Sequence, residues 1–388
     1  VRRLVALDLP PGAAFVEAMK ACFDAGDAVL PVDQRLPFAA RRALFEALRP
    51  DAVVSRDGVE AHLPRAVPVE EGDAFVVATS GTMGEPKGVV LTHEAVAASG
   101  RASSARLGIE PDRDRWLCCL PVSHVGGLSV ITRALVTATS LEILPRFDAR
   151  EVMRVARARN VTRISLVPTA LLRLTEDDVA FFRTILLGGS VPPHERAPNV
   201  VATYGMTETG SGVVYDGIPL EGVELRIADD DEIIVRAPML LRSYRDGTDP
   251  KDAHGWLKTK DAGAIGKDGN LVVFGRMGEL IISGGENVWP SAVENVLAEN
   301  ELIAEVVVVG LPDDKWGQRV TAFVVPARRD LPPALEDLRS LVRDALGAYA
   351  APQELFVVDE LPKTTSGKIR RGALNQKSAS RTSSEPAT

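Results

Sequence analysis

The stretch "DAREVMRVARARNVTRISLVP", residues 148–168, passes without a break from one periodicity into another. Its first part repeats apolar residues at helical spacing. Its second, "TRISLVP", is a short apolar run that reads as a buried strand. The same succession recurs at residues 37–55, where the amphipathic helix "PFAARRALFEALRP" is closed by proline and "DAVVS" follows as a short strand. "FRTILLGGS" and "NVVATYGMTE" are further strands running into glycine turns. A chain that keeps alternating in this way predicts an α/β fold with parallel strands. Ligands then collect at loops beyond the strand carboxyl ends.

From Val213 to Val273 the texture changes. "VELRIADDDEIIVRAP" and "GNLVVFG" read as short antiparallel strands with acidic and glycine turns, a small β subdomain. Beyond "GRMGELIISGGENVWP", the helix "SAVENVLAEN", the strands "AEVVVVGLPD" and "RVTAFVVPA", and the helix "LEDLRSLVRDALG" make a compact α+β unit. The polar, serine-rich "NQKSASRTSSEPAT" is expected to be disordered. No internal repeat is visible.

The 388 residues suffice for two or more domains, and the net charge of −8 argues against a nucleic-acid partner. Three cysteines, Cys22, Cys118 and Cys119, cannot build a disulfide framework, and the five histidines are scattered without metal-ligand spacing. No apolar run is long enough for a membrane span. The opening "VRRLVALDLPPGAAF" has neither the apolar core nor the cleavage site of a signal peptide. A reduced cytoplasm is the expected location.

One loop concentrates chemistry. "VVATSGTMGEPKGVVLTHEAV", residues 76–96, holds four hydroxyl residues (Thr79, Ser80, Thr82 and Thr92), three glycines and Lys87. Small residues dense in donors point to phosphate. The Walker A pattern fails, because Lys87 follows Pro86 and precedes Gly88. An ordinary strand-to-helix turn would explain the glycines but not the hydroxyls beside a lysine.

"TSGTMGEPKG" resembles the phosphate loop of the adenylate-forming superfamily, which includes acyl-CoA synthetases, luciferases and peptide-synthetase adenylation domains. The resemblance implies that Thr79, Ser80, Gly81, Thr82, Gly84 and Lys87 grip the β- and γ-phosphates of ATP. Backbone N–H groups and hydroxyls would cradle the anion while lysine supplies a point charge. Further motifs follow in the family's order. "LLGGS" is similar to the segment against adenine, giving roles to Gly188, Gly189 and Ser190. "YGMTE" is similar to the segment in which Tyr204 stacks on adenine, Gly205 lies beside nucleotide and acyl group, Thr207 bonds the α-phosphate and Glu208 holds magnesium. Apart from the resemblance, Glu208 reads as a helix N-terminal carboxylate.

"GWLKTKDAG" resembles the family's ribose motif, with Asp261 on the ribose hydroxyls. It departs at Lys260, where glycine is usual. Arg276 in "GRMGEL" is implied at the ribose as well. Near the end, "LPKTTSGKIRR" alone would be a solvated basic face. The resemblance makes Lys368 the catalytic lysine, bridging the substrate carboxylate and the α-phosphate as negative charge builds. It also implies a rotation of the C-terminal domain about Gly278, after which Gly284 and Gly285 line the entry of coenzyme A.

The implied architecture is the adenylate-forming enzyme fold. Residues 1–276 would form a large AMP-binding domain of layered α/β subdomains plus a small β subdomain, trimmed at its start. Residues 277–375 would form the mobile α+β domain carrying Lys368, and 376–388 a tail. The implied co-substrates and cofactor are a small carboxylic acid, ATP, coenzyme A and magnesium; a homodimer is compatible with this. No Ser-His-Asp arrangement is needed, because a carboxylate is already a competent nucleophile.

The acid is read from "LPVSHVGGLSVITRAL", "RISLVPTALLRL", "IISGGENVWPSAVENVL" and "YGMTETGSGVVYDGIPL". These resemble stretches of the o-succinylbenzoate–CoA ligases of menaquinone synthesis more than those of fatty-acid enzymes. His124 would stand at the mouth of the acyl site, with a purely structural histidine as the alternative. Arg173 and Ser165 are candidates for a second carboxylate, although surface placement is the plainer reading of Arg173. Three other readings stay open: a CoA ligase for another aryl or short acyl acid, a carrier-protein loading domain, and a nucleotide-binding protein without catalysis.

Overall fold

The computed structural model describes residues 2–58, 60–80, 86–189, 196–363 and 369–374. By internal contacts the chain divides into two units. The first comprises 1–226, Ile234–Lys258 and Lys267–Leu271; the second comprises Ile227–Ile233, Thr259–Gly266 and everything from Val272 onward.

Two seven-stranded sheets make up the first unit. Leu4–Leu7 (β1), Ala28–Pro31 (β2), Ala52–Val54 (β3), Glu60–His62 (β4), Asp73–Ser80 (β5) and Pro86–Thr92 (β6) lie in the order β6-β5-β2-β1-β3-β4. The two-residue strand Ser243–Tyr244 closes the edge at β6. β1 pairs in parallel with β2 and β3, and β2 with β5. Strands such as "LVAL" and "AVLP" are buried at every position, as parallel strands covered on both faces require. Helices Ala13–Asp24 (α1), Phe38–Leu48 (α2) and His93–Leu107 (α3) supply the cover.

The second sheet contains Arg115–Cys118 (β7), Ser140–Ile143 (β8), Arg163–Leu166 (β9), Thr184–Leu187 (β10), Val200–Met206 (β11), Ser211–Tyr215 (β12) and Ile218–Pro219 (β13). Its order is β13-β12-β11-β10-β9-β7-β8, parallel from β11 to β8. Val125–Val136 (α4), Ala149–Arg159 (α5) and two short helices, Pro168–Leu171 (α6) and Glu176–Phe181 (α7), connect the strands. Helix α5 begins where Asp148 accepts the Glu151 N–H at 3.0 Å and ends at Asn160 in the left-handed conformation. Its Val152, Met153 and Ala156 pack with Ile164, Ile185 and Val200 in one core cluster.

The phosphate-loop segment is not a strand-to-helix turn. β5 and β6 pair antiparallel, so residues 81–85 connect two strands. Helix α3 starts only after β6, and Thr92 spends its hydroxyl capping it, accepting the Ala95 N–H at 3.1 Å.

Glu224–Ile227 (β14), Glu232–Arg236 (β15), Ser243–Tyr244 (β16), Leu257–Ile265 (β17) and Leu271–Arg276 (β18) come next; all but β16 form a four-stranded sheet, and the division into units passes along these strands. The second unit adds Ile281–Ser283 (β19), Glu286–Val288 (β20), Ile303–Asp313 (β21), Gly317–Pro326 (β22) and Glu354–Val357 (β23). Pro290–Ala298 (α8) and Leu335–Leu346 (α9) pack their Val293, Leu297, Leu338 and Val342 on this sheet. Among the described residues no helix is long and apolar enough to cross a membrane.

Inside the second sheet an ion pair is sealed from water. The side chains of Arg163 and Asp114 are 2% and 0% exposed. The Arg163 fork donates to both Asp114 oxygens at 3.0 Å and to the carbonyls of Leu107 and Gly108. The Thr162 hydroxyl and the Glu110 N–H complete the carboxylate's shell. Burial pushes the Asp114 carboxyl up, but the Arg163 fork and these donors outweigh it and hold it below the ordinary carboxylate value. Its native pKa is therefore below its unfolded one, and its contribution is lost as pH falls. Asp114→Asn should cost about 3–5 kcal/mol, because Arg163 is left buried without its counter-charge. Urea unfolding should show that loss near neutral pH, and the gap to wild type should narrow below about pH 4.

Candidate active site

At the carboxyl end of β10 stand Gly188 and Gly189, and β11 beside it carries Tyr204 and Gly205. The Thr203 hydroxyl donates to the Leu187 carbonyl at 3.2 Å, tying the two strand ends together. Gly205 is required sterically, since a Cβ there would run into the Ser211 carbonyl of β12. After β11 the chain makes one 3₁₀ turn, Thr207–Thr209, held by the Thr209 hydroxyl, which donates to the Met206 carbonyl and accepts its N–H, both at 2.9 Å. Thr207 and Glu208 lie on this turn.

Glu208 joins the two sheets of the first unit. Its carbonyl accepts the Leu241 N–H at 2.8 Å and its carboxylate accepts the Tyr244 hydroxyl at 3.0 Å. Tyr244 belongs to β16, which pairs with β6 with Tyr244 opposite Val89. On β6 the exposed Lys87 holds its ammonium 5.3 Å from the centre of the Tyr244 ring. Thr79, across the ladder, directs its hydroxyl toward the Lys87 carbonyl at 3.4 Å. Arg245 fixes the end of this strand to the carbonyls of Leu48, Val67 and Pro68. The structure thus brings Lys87, Glu208 and the end of β11 to one corner.

His124 precedes α4, with its Nε2 3.8 Å from the Asp33 carboxylate beyond β2. Burial pushes Asp33 up, but the Arg35 fork, at 2.8 and 2.9 Å, prevails and holds it low. A carboxylate beside His124 was not legible in the sequence, because residues 33 and 124 come together only across the strand ends. Arg173 is exposed and lies over the Phe147 ring at 5.3 Å, in keeping with surface placement, whereas Ser165 is buried within β9.

In the second unit Asp261 and Arg276 are paired, Arg276 Nε lying 2.9 Å from Asp261 Oδ1. A second guanidinium nitrogen of Arg276 donates to the Thr259 carbonyl at 3.1 Å. Between Thr259 and Asp261, Lys260 takes φ +60°, the left-handed conformation that favours glycine. Where the family has glycine, Lys260 thus holds a backbone conformation that glycine favours. Its N–H donates to Glu232 Oε1 at 2.9 Å.

Gly284 and Gly285 form the turn of the β19–β20 hairpin, both at positive φ. A Cβ on Gly284 would come within 2.8 Å of the Trp316 ring. Gly81, Thr82, Gly84, Ser190 and Lys368 lie outside the described residues, as does the expected tail 376–388. Both flanks of Lys368 are nevertheless anchored. Lys363 bridges to Ile369, and Arg371 binds both Glu294 oxygens at 2.5 and 2.8 Å and Glu279 at 3.1 Å. Burial raises the Glu279 carboxyl, and Arg371 opposes that shift. Arg371 looked like one more member of a basic run; only the fold separates it as an anchor.

Among the described residues no group of three or more His, Cys, Asp or Glu side chains could hold a metal ion. Magnesium in nucleotide enzymes needs no such cage, because it takes one or two carboxylates together with phosphate oxygens and water. Glu208, half-buried and oriented by Tyr244, fits that demand.

Lys260 generates a stability prediction. A left-handed conformation costs an L-residue roughly 1–2 kcal/mol, and glycine forfeits roughly 0.5–1 kcal/mol of backbone entropy on folding. Lys260→Gly should therefore raise the thermal midpoint, with a net gain of up to about 1 kcal/mol. A lowered midpoint would mean that the lysine side chain contributes more than its backbone conformation costs.

The chain matches the family described as AMP-binding enzyme over residues 56–245 and the AMP-binding enzyme C-terminal domain over 292–368. It is 36% identical to the 2-succinylbenzoate–CoA ligase of Listeria monocytogenes serotype 4b (strain F2365) over 330 residues, covering 78% of this chain and 70% of that protein. Among solved structures, the o-succinylbenzoate CoA synthetase of Bacillus subtilis in complex with its acyl-adenylate intermediate superposes with a TM-score of 0.83 at 31% identity. That match covers 96% of this chain and 88% of the other. The same Bacillus subtilis enzyme in complex with ATP and magnesium ion gives a TM-score of 0.82 at 30% identity, over 96% and 90% of the two chains. The chain belongs to the AMP-binding, adenylate-forming enzymes, in the family of the 2-succinylbenzoate–CoA ligases.

Proposed function

We propose that the protein is an ATP-dependent acid–CoA ligase that activates o-succinylbenzoate as an acyl-adenylate and transfers the acyl group to coenzyme A. The observation that carries the choice of acid is the similarity to 2-succinylbenzoate–CoA ligases over 78% of the chain. A carboxylate oxygen of the acid attacks the α-phosphorus of ATP, and pyrophosphate leaves with the electrons of the broken P–O bond. The thiol sulfur of coenzyme A then attacks the acyl carbon, AMP departs, and the thiol proton is released. Neither half needs a protein nucleophile. The demand is for alignment and for neutralising charge on phosphate oxygens.

The residues divide that work. Thr79, Ser80, Gly81, Thr82, Gly84 and Lys87 hold the phosphates that leave. Gly188, Gly189, Ser190, Tyr204 and Gly205 bind adenine, with Gly205 also beside the acyl group, and Thr207 bonds the α-phosphate. Glu208 would hold magnesium, which neutralises phosphate charge when bound. Asp261 and Arg276 take the ribose; their existing ion pair supports this by fixing the carboxylate that must accept two hydroxyls. Lys368 bridges the acid and the α-phosphate. His124 borders the acyl site, while Gly284 and Gly285 line the coenzyme A entry. Residues 277–375 act as the mobile domain, hinged at Gly278 in the 3₁₀ turn Met277–Glu279. We place the reaction in the cytoplasm.

The test is mass spectrometry of the products formed from o-succinylbenzoate, ATP, magnesium and coenzyme A. Wild type should release AMP and the o-succinylbenzoyl thioester. Lys368→Ala should slow adenylation on the order of 10²–10³-fold, as loss of a transition-state charge contact does. A thioester formed only from other acids would refute the choice of substrate and keep the mechanism. No thioester from any acid would refute both.

A further inference from the structure

Tyr244 lies outside every motif used to assign the site, yet it touches two members of it. Its hydroxyl donates to Glu208 Oε1 at 3.0 Å, and its ring lies 5.3 Å below the Lys87 ammonium. It is the last residue of the two-residue strand β16, whose backbone is bonded on both sides. The Arg242 N–H donates to the Val90 carbonyl at 2.9 Å and the Arg245 N–H to the Gly88 carbonyl at 2.7 Å. Arg242 is itself locked to Asp73 by two bonds, at 2.9 and 3.0 Å. The phenol is therefore held on a rigid support. Glu208 Oε1 can only accept, so the phenol is the donor in this bond.

We infer that Tyr244 is a positioning residue for the nucleotide–metal site: its hydroxyl orients the Glu208 carboxylate toward magnesium, and its ring docks Lys87 toward the phosphates. The inference rests on the reading of Glu208 as the metal carboxylate. A free glutamate samples several rotamers, and a metal ligand is useful in one. A donor on one oxygen selects that rotamer, and loss of such outer partners typically weakens metal binding or activity about 10–100-fold. A cation over an aromatic face is attracted without losing its donors, so Lys87 remains able to bond phosphate. One side chain thereby sets the spacing between a cation and a metal carboxylate that must act on the same triphosphate.

Calorimetric titration of the full chain with ATP, once in EDTA and once in excess magnesium, separates these roles. In Tyr244→Phe, which keeps the ring, metal-free ATP affinity should stay within about twofold of wild type. The gain conferred by magnesium should shrink about tenfold or more. In Tyr244→Leu, metal-free affinity should fall as well, because Lys87 loses its seat. Equal losses for Tyr244→Phe with and without metal would reduce the hydroxyl to a structural role and overturn the inference. Glu208→Gln run alongside identifies which step failed. If it keeps the full magnesium gain, the metal reading of Glu208 falls and this inference with it. If it loses the gain while Tyr244→Phe keeps it, the inference alone falls.

Discussion

Glu208 is the residue on which the corner between the first unit's two sheets depends. Its backbone carbonyl and its carboxylate reach toward the same segment, Leu241 by the first and Tyr244 by the second. That segment is stitched along β6, the strand carrying Lys87. A single glutamate therefore links the end of β11 in one sheet to the edge of the other. Two sheets built from separate stretches of chain need a fixed relation if phosphate groups are to be gripped from both. One backbone bond, from the Leu241 N–H to the Glu208 carbonyl, and one side-chain bond, from the Tyr244 hydroxyl to the Glu208 carboxylate, provide it here.

The sheet behind this corner is held by a different device. Arg163 begins β9, in the middle of the parallel array, and its charge is satisfied wholly inside the protein by Asp114 and two carbonyls. A buried pair of this kind adds little net stability compared with apolar residues of the same size, but it is costly to break. Its value is in register: only one alignment of β9, the end of α3 and the turn before β7 brings all of those partners together. Arg133 is also buried, bonded to Ser103 at 2.8 Å and stacked 4.9 Å from the Trp116 ring. The strand ends that present Gly188, Tyr204 and Glu208 inherit their positions from these fixed points.

Much of this was legible in the residues. Helical spacing at 149–159 and 38–48 and the short apolar runs after them gave elements that the structure contains, since burial of one helix face and both strand faces imposes those periods. The glycine- and hydroxyl-rich loop between β5 and β6 stood out by composition. Its placement between two antiparallel strands did not, because an apolar run ahead of glycines fits a strand or a helix on the far side equally well. Thr92 illustrates the limit: a hydroxyl in the right stretch proves to be a helix cap. Lys260 illustrates the reverse, a non-glycine residue that holds the left-handed φ of +60° that glycine favours.

The sequence by itself determined the alternation of helices and buried strands, because each element is carried by residue types at short spacing. Only the tertiary structure decided which distant side chains would lie beside one another. Asp33 beside His124, Tyr244 beside Glu208 and Lys87, and Arg371 beside Glu279 and Glu294 are all ordinary polar residues in their local sequence. These contacts come from strand order and register, which bring together residues tens to hundreds of positions apart. Local periodicity reports the burial of each segment, but not which segment lies next to it.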